Sequence, residues 1–170
     1  MNLTPSQTIG PFSHEAWRWA CDATATVASN AATVTVQGII RDGDGVPIND
    51  AMIEAWLPAS AAVEASQAIP GFRRVASAED GSFALLLTRP AHAAPGEPAA
   101  LVTIFARGLV KHQFTAVFLD DDAGIDAALI LRQVPAERRA TLIARSAGNG
   151  VYQWDIAMQG KHETAFFDYV

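Results

Sequence analysis

The chain has 170 residues, one cysteine and a formal net charge of −6 at pH 7. This length fits one domain of about 100–200 residues, and a single cysteine excludes a scaffold built on intrachain disulfides. Charged residues make up 18% of the chain, below the usual value of about 25%, which predicts that a partner chain covers part of the surface. The acidic balance excludes a general nucleic-acid binder, because phosphate contacts need clustered Lys and Arg.

The N-terminal region carries no targeting or membrane signal. Residues 1–6 lack the basic and apolar stretches of a signal peptide. No run in the sequence approaches the roughly 20 apolar residues of a membrane helix. We therefore expect a soluble cytoplasmic protein without membrane contacts, whose free thiol at Cys21 is an inert filler.

Taken in chain order, the sequence shows frequent turn signals and little helical periodicity. Short alternating or β-branched segments predict strands over residues 33–40, 50–57, 72–76, 82–88, 99–106, 113–119, 151–159 and 163–169. A loop or short helix is expected over 58–70, an irregular loop over 89–98, and a short helix over 135–144 with Pro135 in its first turn. This pattern favours an all-β fold, with a β-sandwich over residues 31–170 and few short helices.

Residues 1–30 precede the strand pattern and stand apart from it. The segment 4–12, TPSQTIGPF, contains too many helix and strand breakers for a packed element, yet it carries the apolar side chains of Ile9 and Phe12. We expect an extended N-terminal arm that packs on a partner subunit.

Candidate catalytic groups are sparse in this sequence. The histidines, at positions 14, 92, 112 and 162, lack the close spacing of metal ligands, and Asp120 to Asp122 are interpreted as a solvated turn. Arg107 is more informative, because it leaves the apolar strand predicted over 99–106. Such a charge must reach solvent, pair with an acid or face a ligand. The residues alone leave these alternatives open and identify no reaction.

Several segments together resemble the intradiol ring-cleavage dioxygenases, and within that family the α subunits of the two-subunit members. The matching segments are TPSQTIGPF (4–12), GIIRDGDG (38–45), DAMIEAW (50–56), PGFRR (70–74), IFARGL (104–109), RRATLIA (138–144) and the stretch 152–168 with its GKHETAFFD ending. They occur in the family's order and span nearly the whole chain.

The resemblance implies a β-sandwich and an αβ heterodimer that assembles further. It also implies O₂-dependent opening of the catechol protocatechuate between its hydroxylated carbons, which gives 3-carboxy-cis,cis-muconate. Family enzymes hold a non-haem Fe(III) with two tyrosines and two histidines, and a ferric ion suits such phenolate ligands.

This chain lacks the family's iron ligands where the resemblance would place them. Residues 63–105 contain no tyrosine, and the strand after the proline-rich loop opens as PAALV (98–102), without a histidine. We therefore predict no metal ligand and no catalytic residue in this chain, which is expected to be inactive alone. The Fe(III) is expected to be bound by a partner β subunit.

The resemblance implies that the α subunit lends part of the wall of its partner's pocket. The substrate-pocket residues that it carries over are Thr8, Gly10, Pro11, Phe12 and Arg107. Gly10 and Pro11 would let backbone approach an aromatic ring, and Arg107 would attract a carboxylated catechol.

Two departures from the family and two other functions stay open. Phe12 stands where relatives often have tyrosine, and Ala116 stands where many have arginine. The chain is alternatively a non-enzymatic β-sandwich binding or scaffold module. A third hypothesis is a self-sufficient enzyme with an iron site built from Tyr152 or Tyr169 with His92 and His112.

Overall fold

The computed structural model describes residues 9–10, 13–27, 32–58, 60, 62–89 and 94–168. In chain order, the elements within these ranges are α1 (Ser13–Thr24), β1 (Ala32–Arg41), β2 (Met52–Trp56), β3 (Phe72–Ala76), β4 (Ser82–Arg89), β5 (Ala100–Phe105), β6 (Gln113–Leu119), a 3-10 helix (Ile125–Ala127), α2 (Leu129–Gln133), a second 3-10 helix (Ala136–Leu142), β7 (Ile143–Gly148), β8 (Val151–Gln153) and β9 (Ile156–Ala157). Among these residues no helix is long and apolar enough to cross a membrane.

The strands form one sheet that curls into a nearly closed barrel. Their order is β3-β2-β5-β6-β7-β8-β1-β4, and β9 lies beside β1. The two ends of this order, β3 and β4, meet at a seam, where the Arg73 Nε atom donates to the Leu86 carbonyl at 2.6 Å. The prediction of an all-β fold with few short helices is confirmed.

Alternate side chains of the strands fill the barrel. Residues of β1, β4 and β5 point inward with exposed fractions of 7% or less, and they include Val36, Leu85, Leu87, Val102 and Ile104. A second cluster lies on the other face of β6, where Ala116 and Phe118 pack under Leu131 and Leu142. Both faces of β6 are therefore buried, which explains its nearly continuous apolar sequence.

Most predicted strands are confirmed, and two predictions near the C-terminus are wrong. The single strand predicted over 151–159 is divided into β8 and β9, because the Trp154 carbonyl lies directly over Gly38 and the Asp155 carboxylate accepts a hydrogen bond from the Ile39 amide at 3.0 Å. The strand predicted over 163–169 is reduced to an isolated bridge between Phe114 and Phe167.

Helix α1 lies within the predicted arm, and no pattern in residues 13–24 indicated it. The hydroxyl of Thr24 accepts a hydrogen bond from the Arg74 amide of β3 at 3.0 Å, and Ala20 is buried. Burial raises the pKa of the Cys21 thiol on this helix, which favours the protonated thiol over the nucleophilic thiolate. Residues 13–24 thus pack on their own chain, while the contact of residues 1–30 with a partner stays a prediction.

Candidate functional site

A tight turn after β5 places Arg107 at one end of the barrel. The Leu109 amide donates to the Ala106 carbonyl at 3.3 Å. Gly108 has a φ of +85°, a value that the third position of a type II turn requires and that glycine adopts without strain. Arg107 occupies the second position of this turn, and 57% of its side chain is exposed.

Arg107 forms an ion pair with Asp50, the acid that precedes β2. The guanidinium Nε atom donates to the Asp50 carboxylate, which is only 15% exposed. Within the described ranges no other side chain hydrogen-bonds this guanidinium. Of the alternatives that the sequence left open, pairing with an acid is therefore realised, and the Nη edge of Arg107 stays available for a ligand.

Arg107 lies at a surface groove, here called the Arg107 groove, with a volume of about 400 Å³. Both apolar and polar side chains line it, and they include Ile48, Leu109, Gln113, Met158, Glu163 and Phe166. A cavity of about 150 Å³ is enough to hold a benzene ring. The Arg107 groove therefore offers an aromatic molecule both apolar contact and one guanidinium.

The structure describes one of the four arm residues predicted to line the pocket. Gly10 has a φ of +78°, and among the described residues no atom beyond its chain neighbours lies within 4 Å of the position that a Cβ would take. Its glycine is thus required by the backbone conformation and not by crowding. Thr8, Pro11 and Phe12 lie outside the described residues, so their place beside Arg107 stays a prediction.

A second cavity, of about 310 Å³, lies at the opposite end of the barrel. Its lining includes Leu87, Arg89, Pro98, Ala99, Leu119 and Asp121. It thus includes part of the stretch 63–105, where the family resemblance would place iron ligands. Any iron site of the family's kind within this chain would therefore have to form at this end of the barrel.

Arg89 and Asp121, both in the lining of this second cavity, form an ion pair that the Tyr152 phenol of β8 joins. Arg89 donates to both carboxylate oxygens of Asp121, at 2.7 and 3.1 Å, and the Tyr152 hydroxyl donates to the same carboxylate at 2.9 Å. The guanidinium lowers the pKa of Asp121. Asp121 was predicted to be part of a solvated turn, and the structure places it in a turn with 44% of its side chain exposed. The carboxylate has a further role that was not predicted, because it joins β4 to β8.

The donor set at this cavity does not fit a ferric ion. A phenolate ligand must lose its proton, whereas burial and the Asp121 carboxylate raise the pKa of Tyr152. Across the ranges that the structure describes, no three His, Cys, Asp or Glu side chains are grouped to hold a metal. The described side chains at this end of the barrel therefore do not form a ferric site.

The proposed ligands of a self-sufficient enzyme are not brought together. His112 lies just before β6 and packs between the rings of Phe105 and Phe114, tilted against the first and edge-to-face with the second, with ring centroids 5.4 and 4.6 Å away. Tyr152 contacts Asp121, beyond the other end of this seven-residue strand, which is about 20 Å long. Tyr169 and His92 lie outside the described residues.

Ala116 belongs to the core and not to a pocket. Its side chain is fully buried in the second cluster, between β6 and the helices that cover it. An arginine at this position would have to displace packed apolar groups or bury its charge. The departure at Ala116 therefore concerns packing on the outer face of the sheet.

Comparisons with solved structures identify the fold. No family model matches the chain. The dioxygenase domain of a dioxygenase carbohydrate-binding protein fusion from Streptomyces sp. SirexAA-E superposes with a TM-score of 0.61 at 19% identity, over 96% of this chain and 100% of that one. An intradiol ring-cleavage dioxygenase from Tetranychus urticae gives 0.56 at 15% identity, over 96% and 98%. The barrel thus has the fold of these dioxygenase structures.

Sequence relatives narrow the identification further. A protocatechuate 3,4-dioxygenase alpha chain from Burkholderia cepacia is 38% identical over 193 aligned positions, which cover 99% of this chain and 98% of the relative. The protein of the same name from Pseudomonas putida is 30% identical, with 98% and 96% coverage. The chain belongs to the family of protocatechuate 3,4-dioxygenase alpha chains.

Proposed function

We propose that this chain is an iron-free subunit that completes the active-site pocket of an Fe(III)-carrying β subunit. The assembled enzyme would open protocatechuate with O₂ to give 3-carboxy-cis,cis-muconate, in the cytoplasm. The observation that carries this proposal is the 38% identity, over nearly the full length of both chains, to a protocatechuate 3,4-dioxygenase alpha chain. A non-enzymatic scaffold is not favoured, since both reported relatives are named as chains of an enzyme.

The side chains of this chain do not suit a ferric ion, and this supports the proposal that the β subunit binds the iron while this chain contacts the substrate. A ferric ion supplied by the partner would act as the Lewis acid that binds the catechol oxygens. The Tyr152 phenol is held protonated in an ion-paired cluster with Arg89 and Asp121. The contribution of this chain is therefore to bind and orient the substrate from the facing side.

Arg107 is the residue that we assign to the substrate carboxylate. Its side chain is 57% exposed at the Arg107 groove, and its Nε atom is already used by Asp50. The two remaining Nη groups form a planar edge that suits a carboxylate. Hydrogen bonds to charged groups contribute about 1.5–3 kcal/mol, which is enough to separate a carboxylated catechol from a plain one.

The arm is proposed to supply the rest of this wall. Gly10, at a φ of +78°, and Pro11 would let backbone approach the flat ring closely, and Thr8 would offer a hydroxyl. Phe12 would give apolar contact without the hydroxyl of a tyrosine. These assignments rest on the family resemblance of segment 4–12.

The test compares two substrates in the co-expressed αβ enzyme. We expect Arg107→Ala to raise KM for protocatechuate about 10- to 100-fold and to leave KM for catechol unchanged. Arg145→Ala is the matched control, because Arg145 is an exposed arginine on β7. Equal losses for both substrates would mean that Arg107 has a structural role only.

A further inference from the structure

We propose that Asp50 is a positioning residue for Arg107, which fixes the guanidinium so that its Nη edge meets the substrate carboxylate. This inference rests on the proposed function, since it concerns the same pocket. Asp50 itself does not touch the substrate in this proposal. It acts through Arg107.

The strand register brings the two residues together. β2 and β5 are antiparallel, with Trp56 opposite Leu101 and Met52 opposite Phe105. Continuing this register by two residues places Asp50 opposite Arg107, just beyond the ends of both strands. Directly opposed residues of opposite charge interact across such a pair. The ion pair thus extends the ladder to the rim of the groove.

Asp50 extends from a backbone segment that is buried and hydrogen-bonded, whereas the Arg107 side chain that it contacts is largely exposed. The next residue, Ala51, is fully buried, and its amide donates to the Ser77 hydroxyl at 3.0 Å while its carbonyl accepts from the Ser77 amide at 2.9 Å. The Asp50 carboxylate is 15% exposed and the Arg107 side chain 57% exposed. The acid is therefore the fixed member of the pair, and the arginine is the member that it orients.

The guanidinium atom that Asp50 binds determines which atoms of Arg107 remain available for the substrate. Asp50 takes the Nε edge of the guanidinium, and a second carboxylate can then bind through the Nη groups. Without Asp50, Arg107 would keep its charge but lose its fixed geometry. The negative charge of Asp50 also repels an anionic substrate. Removal of Asp50 should therefore raise KM if its role is to orient Arg107, and it should lower KM if its charge is what matters.

The experiment uses the co-expressed αβ enzyme and the substrates protocatechuate and catechol. We expect Asp50→Ala to raise KM for protocatechuate about threefold or more, without a change in kcat or in KM for catechol. Asp50→Asn keeps an acceptor but loses the charge assistance, so a smaller rise of about twofold is expected. Asp44→Asn, which removes an exposed carboxylate from the nearby turn, should leave both KM values unchanged.

The double variants give the decisive comparison. In the Arg107→Ala background, neither Asp50 substitution should raise KM for protocatechuate further, because a positioning residue has nothing left to position. Only the repulsion between the Asp50 charge and the substrate remains there, so the KM of the double variants should equal or fall below that of Arg107→Ala. Additive losses, equal losses for both substrates, or a KM below wild type in Asp50→Asn would overturn the proposal. If Asp50→Ala fails to assemble, Asp50→Asn carries the same comparison. A failure of the proposed function appears separately, as an Arg107→Ala variant that discriminates the two substrates normally.

Discussion

Glu64 holds the seam of the barrel together, and its removal should cost a large part of the stability. The side chain is fully buried and accepts hydrogen bonds from both Nη atoms of Arg73, from the Thr88 hydroxyl and from the Gly71 amide. It therefore ties the loop before β3 to both strands of the seam. Glu64→Gln keeps the size of the side chain but leaves Arg73 charged and buried beside a neutral group.

The expected loss follows from this burial. Removing one partner of a buried ion pair costs about 3–5 kcal/mol, and each kcal/mol shifts Tm by about 2–4 °C in a domain of this size. Glu64→Gln should therefore lower Tm by about 6–20 °C in thermal unfolding of the full chain followed by circular dichroism. Asp168→Asn is the control, because its pair with Lys111 has an 81% exposed acid and is expected to contribute less than about 1 kcal/mol.

A shift of Tm no larger than that of the control would refute this role for Glu64. Replacing both charges, as in Glu64→Leu with Arg73→Met, should recover part of the loss, because no unpaired charge remains buried. If the double variant is no more stable than Glu64→Gln, the hydrogen bonds to Leu86 and Phe72, and not the ion pair, hold the seam.

Three further predictions concern pH, packing and the second cavity. Burial alone would raise the pKa of Glu64, but its hydrogen bonds outweigh burial and lower it from 4.5. The stability that the Glu64 carboxylate contributes is thus complete above about pH 4.5 and is lost as pH falls through the lowered pKa. Urea unfolding of the wild-type chain from pH 7 to pH 3 should therefore show a fall in the free energy of unfolding that Glu64→Gln does not show. Gly38→Ala would place a Cβ 1.9 Å from the Trp154 carbonyl oxygen and should lower the free energy of unfolding by about 3 kcal/mol or more. Gly45→Ala is the control and should lower it by about 1 kcal/mol, because no described atom beyond the chain neighbours lies within 4 Å of the added Cβ there. Equal losses for the two variants would contradict the steric explanation. Tyr152→Phe should lower stability by about 0.5–1.5 kcal/mol and leave the iron content of the αβ enzyme unchanged, and a loss of iron would assign Tyr152 a ligand role.

Local patterns were enough to predict most strands. The segments of β1 and β6 show alternation or continuous apolar character within a few residues, and such signals do not depend on distant contacts. The break between β8 and β9 depends on a distant contact. The Asp155 carboxylate accepts a hydrogen bond from the amide of Ile39, the residue after Gly38, and this residue lies more than 100 positions earlier in the chain. The helix α1 depends on contacts with β3, which the sequence of residues 13–24 does not reveal.

At the candidate site too, the sequence indicated single residues but not the contacts between residues far apart in the chain. Arg107 could be selected from the sequence because a charge directly after an apolar strand is unusual there. Its partner Asp50 could not, because the two are 57 residues apart and only the register of β2 and β5 unites them. Arg89 and Asp121 are 32 residues apart, and nothing in the local sequence of either residue indicates the other.

Metal analysis of the chain alone and of the chain co-expressed with a β subunit tests the central claim most directly. We expect the chain alone to be colourless, free of stoichiometric iron and inactive towards protocatechuate. The αβ complex should be red-brown from tyrosinate-to-iron charge transfer, with iron in proportion to its β subunit and with ring-cleaving activity. A ferric ion coordinated entirely within a single copy of this chain, with activity in the absence of a partner, would contradict the account.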